Sequence, residues 1–210
     1  MKIQIIGAGV VGQATGKGFA RLGHEVVFYD VDSSVVRSLN EEGYSASSSV
    51  VMGVVMGEAD VCFICVPEKA VDDVIAKSTP APSNRLFVIR STVPPGTARA
   101  LGRKYNAHIS SNPEFLREGV AEYEILNPPG IIIGVCCQGH KSLLQSLYDL
   151  FRKPIYFTSH EVAEMTKIAV NGYLACQVSY WNQIKLLADT LSINSLEVGM
   201  LASYCDERVS

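Results

Sequence analysis

Lys2-Ile3-Gln4-Ile5-Ile6-Gly7-Ala8-Gly9-Val10-Val11-Gly12 is the stretch that decides the fold of this chain. A short apolar run ends at Gly7, and from Val10 to Leu22 the apolar residues recur at helical spacing until Gly23 stops them. Strand, glycine turn and helix in that order give the G-x-G-x-x-G pattern the context that makes it a dinucleotide-binding fingerprint. Gly7 permits the tight turn, Gly9 lets the backbone approach a pyrophosphate, and Gly12 lets helix and strand pack closely. The helix start at Val10 and Val11 adds amide donors and the positive end of the helix dipole. Asp30 closes the next apolar run, Val26 to Tyr29, where a carboxylate accepts hydrogen bonds from an adenosine ribose. That carboxylate would repel a 2′-phosphate, so the expected cofactor is NAD rather than NADP.

Outward from this unit the alternation continues. Helices are expected at Ser33 to Leu39, Val50 to Met56, Val71 to Lys77, Gly96 to Tyr105 and Lys141 to Phe151. Strands are expected at Val61 to Val66, Leu86 to Arg90, His108 to Ser111, Ile131 to Val135 and Pro154 to Phe157. Repeated βα units predict a doubly wound, Rossmann-type α/β fold, a parallel sheet covered on both faces. From His160 to about Asp189 the pattern becomes one long helix, with Thr158 and Glu161 spaced as a capping box, and a last helical piece spans Ser195 to Tyr204. The expected division is a nucleotide-binding domain over 1–158 and a long central helix region over 159–210. Leu174, Val178, Trp181 and Ile184 would find too little protein in 210 residues to cover them, which predicts a homodimer through the 160–189 helix.

Composition narrows the classes. The chain is 48% hydrophobic and 19% charged with a net charge of -3, and it has no basic run, so neither nucleic acid nor a membrane surface is an expected partner. No apolar stretch reaches the roughly 20 residues of a bilayer-spanning helix. No A-x-A-like cleavage site follows the N-terminal run, and a cytoplasmic protein is expected. Of six cysteines, Cys62, Cys65, Cys136, Cys137 and Cys176 lie in apolar runs and read as small hydrophobes. No metal site is assigned, since nothing flanks Cys62-x-x-Cys65 to complete one.

Three segments carry polar groups in chemically suggestive places. Arg90-Ser91-Thr92-Val93-Pro94-Pro95-Gly96-Thr97 and Asn112-Pro113-Glu114-Phe115-Leu116-Arg117-Glu118-Gly119 each follow a strand's carboxyl end, where ligands sit in open parallel sheets. On local grounds each reads equally well as a helix-capping loop or a solvated surface. Glu164, Lys167 and Asn171 share one face of the long helix. They form either a solvated stripe or a buried Lys and amide able to hold a developing oxyanion.

Together with Glu164-Met165-x-Lys167-x-x-x-Asn171-x-Tyr173-Leu174-Ala175 and Asp206-Glu207-Arg208, these segments resemble the UDP-glucose/GDP-mannose dehydrogenase family in order and type. That family oxidises the C6 hydroxyl of a nucleotide sugar to a carboxylate in two NAD-dependent steps. The resemblance implies that Thr92 positions water beside the cofactor and that Glu114 is an acid/base in thioester hydrolysis. It makes Phe115, Leu116 and Glu118 a substrate-binding strip, Lys167 with Asn171 the oxyanion stabilisers, and Arg208 a contact to the sugar nucleotide. Val66 and Pro67 would border the nicotinamide, with a shorter following loop than the family usually has. The family's nucleophilic Cys and its C-terminal domain fall in a region these 210 residues do not contain, and Cys205 sits outside any G-x-C loop. The resemblance therefore implies a shortened member without the covalent route to the acid. Two other readings stay open: a β-hydroxyacid-type NAD dehydrogenase using Lys167 and Asn171, and a non-catalytic NAD-binding assembly module.

Overall fold

The computed structural model describes residues 1–48, 59–79, 85–117 and 119–206; the helix expected at Val50 to Met56 lies outside them. The strands are β1 (Lys2–Ile6), β2 (Glu25–Tyr29), β3 (Ser45–Ser47), β4 (Val61–Ile64), β5 (Leu86–Ile89), β6 (His108–Ser111), β7 (Ile131–Gly134) and β8 (Ile155–Thr158). The helices are α1 (Val10–Arg21), α2 (Ser33–Glu41), α3 (Val71–Lys77), α4 (Thr97–Tyr105), α5 (Ala121–Glu124), α6 (Gln138–Tyr148), α7 (His160–Thr190) and α8 (Ser195–Cys205). Among the described residues the strands form one sheet in the order β3-β2-β1-β4-β5-β6-β7-β8. The order reverses between β1 and β4, which opens a crevice at their carboxyl ends.

Period-two alternation divides the apolar residues between the two faces of the sheet. Ile3, Ile5, Phe28, Phe63 and Val88 pack with Phe19 of α1 and with Leu144 and Leu147 of α6. Ile6, Ile64, Phe87 and Ile89 point the other way, onto Val71 and Ile75 of α3 and Leu101 of α4. The fold is the expected doubly wound α/β class.

Several local expectations are corrected. The sheet is not wholly parallel: β7 runs antiparallel to β6, joined only at Ser111 with Gly134. Of the described residues between them, only the single turn α5 is helical, so no full crossover helix carries the chain back to a parallel start. Ser45–Ser47, where no strand was expected, form the edge strand β3 beside β2. Thr158 ends β8, and the residue that caps the start of α7 is Ser159. Its carbonyl accepts the Ala163 N–H at 3.1 Å and its hydroxyl the Val162 N–H at 3.3 Å. Glu161 instead pairs with Arg99, at 2.5 and 3.0 Å, and this guanidinium holds the Glu161 carboxyl down at about 2. Helix α6 starts at Gln138, three residues before the expected Lys141, and Asp149–Phe151 follow it as a 3-10 turn. Cys137 and Cys176 are exposed rather than packed.

The chain divides into two compact units, Met1–Lys167 and Ile168–Ser210. The first turns of α7 belong to the first unit, where Ala163, Glu164 and Lys167 are buried. In the second unit Asn194 caps α8, its side chain accepting from the Leu196 N–H at 3.0 Å. Tyr173, Leu174, Val178 and Leu186 are each more than half exposed. Among the described residues no helix is long and apolar enough to cross a membrane.

Candidate functional site

The glycine turn is fixed by backbone. Gly7 sits at φ +90°, and its N–H donates to the Tyr29 carbonyl at 2.8 Å. A Cβ at Gly7 would lie 2.7 Å from the Cys65 carbonyl oxygen, and one at Gly12 would lie 1.8 Å from the Gly7 carbonyl oxygen. A Cβ at Gly9 would meet no atom within 4 Å, so that position opens into free space at the start of α1. Asp30 braces the turn from β2: its carboxylate accepts the Ala8 N–H at 2.6 Å and the Asp32 N–H at 2.9 Å.

This turn borders a cleft of about 760 Å³ at the carboxyl ends of β1, β4 and β5. Gly7, Gly9, Val10, Val11, Asp30, Val66, Pro67, Thr92 and Glu114 all line it, which brings the glycine turn and Asp30 together with the chain following β4, β5 and β6. Gly12 does not reach the cleft and acts beneath it, through packing. The free volume at Gly9, beside the first residues of a helix, suits a dinucleotide's pyrophosphate. Cys65 also lines the cleft, and burial pushes its thiol up to about 12, so it stays protonated at neutral pH.

The loops around the cleft are tied down from a distance. The Ser91 hydroxyl donates to the Val66 carbonyl at 2.6 Å, joining the loops after β5 and β4. Helix α4 begins at Gly96, which has no side chain to cap it. The cap comes from α7: buried Glu164 accepts from the Gly96 N–H at 2.5 Å, the Ala98 N–H at 2.9 Å and the Ser111 hydroxyl at 2.8 Å. Sequence reasoning placed Glu164 on a shared helix face with Lys167 but missed this role, which no local pattern reports.

Asn112 fixes the end of β6. Its amide donates to the Ile132 carbonyl at 2.8 Å, while its side-chain oxygen accepts from Arg90 and from the Tyr148 hydroxyl. Burial pushes the Tyr148 phenol up to about 12, which keeps it a neutral donor. The chain leaving Asn112 delivers Glu114 to Lys167, with Nζ 3.1 Å from Oε1, and the two side chains are only 10% and 13% exposed. The other Glu114 oxygen accepts the Leu116 N–H at 2.6 Å, and the Lys167 ammonium lies 5.5 Å from the centre of the Phe115 ring. Lys167 is therefore not part of a solvated stripe.

Phe115 and Leu116 line a second cavity of about 480 Å³, which shares Glu114 and Arg90 with the first. Arg117 turns outward to Glu124. Asn171 stands one helical turn past Lys167, in the second unit, and is exposed. Glu118 and Arg208 lie outside the described residues.

Fold and cleft together define a Rossmann-type dinucleotide-binding module. The chain belongs to the UDP-glucose/GDP-mannose dehydrogenase family. Residues 1–56 and 44–152 match the family's NAD binding domain and residues 161–209 its central domain, so the cofactor is NAD. The chain is 28% identical over 240 residues to UDP-glucose 6-dehydrogenase TuaD of Bacillus subtilis, covering 94% of this chain and 51% of that protein. Among solved structures it resembles a UDP-glucose dehydrogenase from the archaeon Pyrobaculum islandicum, with a TM-score of 0.83 and 29% identity over 99% of this chain and 57% of the other. It resembles equally a ternary complex of GDP-mannose dehydrogenase from Pseudomonas aeruginosa, with a TM-score of 0.83 and 28% identity over 98% and 57%. The chain thus spans little more than half the length of these relatives.

Proposed function

We propose that these residues are the NAD-binding part of a nucleotide-sugar 6-dehydrogenase of the UDP-glucose or GDP-mannose type. The observation that carries the reading is the Glu114–Lys167 pair, shielded from water at the rim of the cofactor cleft. When bound, NAD supplies the acceptor for a hydride. Gly7, Gly9, Val10 and Val11 would hold its pyrophosphate and Asp30 its adenosine ribose, with Val66, Pro67 and Thr92 further along the cleft wall. A sugar hydroxyl placed beside this pair would lose its proton toward Glu114 while the Lys167 ammonium offsets the negative charge building on oxygen. The family resemblance implies Glu118, Asn171 and Arg208 as further substrate contacts, and Phe115 and Leu116 line the second cavity.

The test is NADH formation by these 210 residues with UDP-glucose, GDP-mannose and a set of small hydroxy acids. NADH appearing with a nucleotide sugar supports the reading; NADH with a small hydroxy acid alone overturns it in favour of β-hydroxyacid chemistry. Release of two NADH per sugar is not expected. Cys65 is the only thiol among the described residues lining the cleft, and it is held protonated.

We also propose a homodimer through α7, supported by the exposed apolar side chains of Tyr173, Leu174 and Val178. Sedimentation velocity at about 10–50 μM, a range typical of weak to moderate oligomer constants, is expected to show a dimer. A monomer there would refute it.

A further inference from the structure

We propose that His108, Cys136, Cys137 and His140 form a tetrahedral site for a transition-metal ion, with Zn²⁺ as its best-suited occupant. The site is separate from the NAD cleft. One ligand atom from each of the four residues falls within 4.8 Å of all the others. Cys136 Sγ lies 4.0 Å from Cys137 Sγ, and His140 Nδ1 lies 3.4 Å and 3.0 Å from these two sulfurs. The rings of His108 and His140 have centroids 4.5 Å apart. Zn–S bonds of about 2.3 Å and Zn–N bonds of about 2.05 Å in a tetrahedron require ligand separations of about 3.8 Å for S···S, 3.5 Å for S···N and 3.3 Å for N···N. The S···S spacing of 4.0 Å is slightly longer and the S···N spacings of 3.4 and 3.0 Å are shorter than these values, and with all four ligand atoms within 4.8 Å of one another modest side-chain rotations complete the polyhedron. Two thiolates and two imidazoles form a borderline-soft donor set that excludes Mg²⁺ and Ca²⁺ and suits Zn²⁺.

Topology builds the cluster from three elements. His108, the first residue of β6, and Cys136 and Cys137, just past the end of β7, lie on the same side of the antiparallel Ser111–Gly134 pair. Cys137 is the extended N-cap of α6, and its carbonyl accepts the Lys141 N–H at 3.0 Å, so the first turn of α6 swings His140 back over both sulfurs. The Ser110 hydroxyl supports Cys136 Sγ from behind at 3.8 Å. His108 is the first residue of β6, so the cluster lies at the amino-terminal edge of the parallel strands, opposite the cleft. The β6–β7 junction it would clamp is paired at a single position. Binding there would staple the thinnest ladder of the sheet and release both thiol protons.

The test uses the untagged full chain, reduced and stripped with a chelator, titrated anaerobically with Co²⁺ as the spectroscopic probe. The expected result is one Co²⁺ per chain with intense visible bands of tetrahedral cobalt and a near-ultraviolet thiolate charge-transfer band, all erased by one equivalent of Zn²⁺. Cys137→Ser and His140→Gln, both at the sheet edge, should weaken binding at least about a hundredfold, since even outer-shell losses cost 10–100-fold. Cys176→Ser/Cys205→Ser should leave the spectrum intact. Weak octahedral bands, the lack of a thiolate band, or a spectrum that survives Cys137→Ser and His140→Gln would overturn the proposal. Circular dichroism and NAD binding measured on the same samples separate its failure from misfolding and from failure of the functional reading.

Discussion

Lys167→Met is expected to destabilise the first unit by on the order of 3–5 kcal/mol, the usual consequence of removing one partner of a buried ion pair. The methionine preserves most of the side chain's bulk, so the loss is electrostatic. Glu114 keeps the Leu116 N–H but loses its Lys167 ion-pair partner at a place where water scarcely reaches it. Glu114→Gln in the same chain should recover a large part of the loss, because a neutral amide needs no counter-charge. Urea unfolding of the two single variants and the double variant forms a thermodynamic cycle. A coupling near zero would mean that the pair is solvated, and the catalytic roles proposed for both residues would lose their physical basis.

Gly12→Ala should be as damaging by a different route. The new Cβ would sit 1.8 Å from the Gly7 carbonyl oxygen, and backbone on both sides cannot yield as a flexible side chain would. Overpacking costs about 1–3 kcal/mol where neighbours can shift, and this contact lies at or beyond the upper end. Helix α1 must move off β1, so the thermal midpoint should fall and NAD binding should disappear with it. Gly139→Ala is the control: its Cβ would meet nothing within 4 Å, and exposed helix positions favour alanine. An unchanged midpoint in Gly12→Ala would show that the turn is looser than described.

What the sequence disclosed and what it withheld divide by range. Strand, turn and helix from Lys2 to Arg21 are written in local periodicity and glycine placement, so the glycine turn and the carboxylate of Asp30 beside it were legible from the sequence. The reversal of β7 was not, because strand direction depends on how the 112–130 connection packs and not on the apolar run Ile131–Gly134 itself. Glu164 as the cap of α4 and Lys167 as the partner of Glu114 join residues more than fifty positions apart, beyond any local pattern. The Cys136-Cys137 pair misled for a related reason. It follows an apolar strand and reads as its continuation, yet the chain has already left the sheet there and turned to start α6. His108, the remaining donor, comes from a neighbouring strand.

Calorimetric titration of the 210-residue chain and its Gly9→Val variant with NAD and NADP tests the central claim most directly. A valine at Gly9 meets no protein atom at its Cβ but occupies the space beside the start of α1, so the variant should fold normally and lose NAD. The wild-type chain should bind NAD, and bind NADP more weakly because Asp30 repels the 2′-phosphate. Absence of binding at about 1 mM NAD, a concentration that would detect affinities as weak as about -4 kcal/mol, equal affinity for NADP, or undiminished binding by folded Gly9→Val would contradict the account.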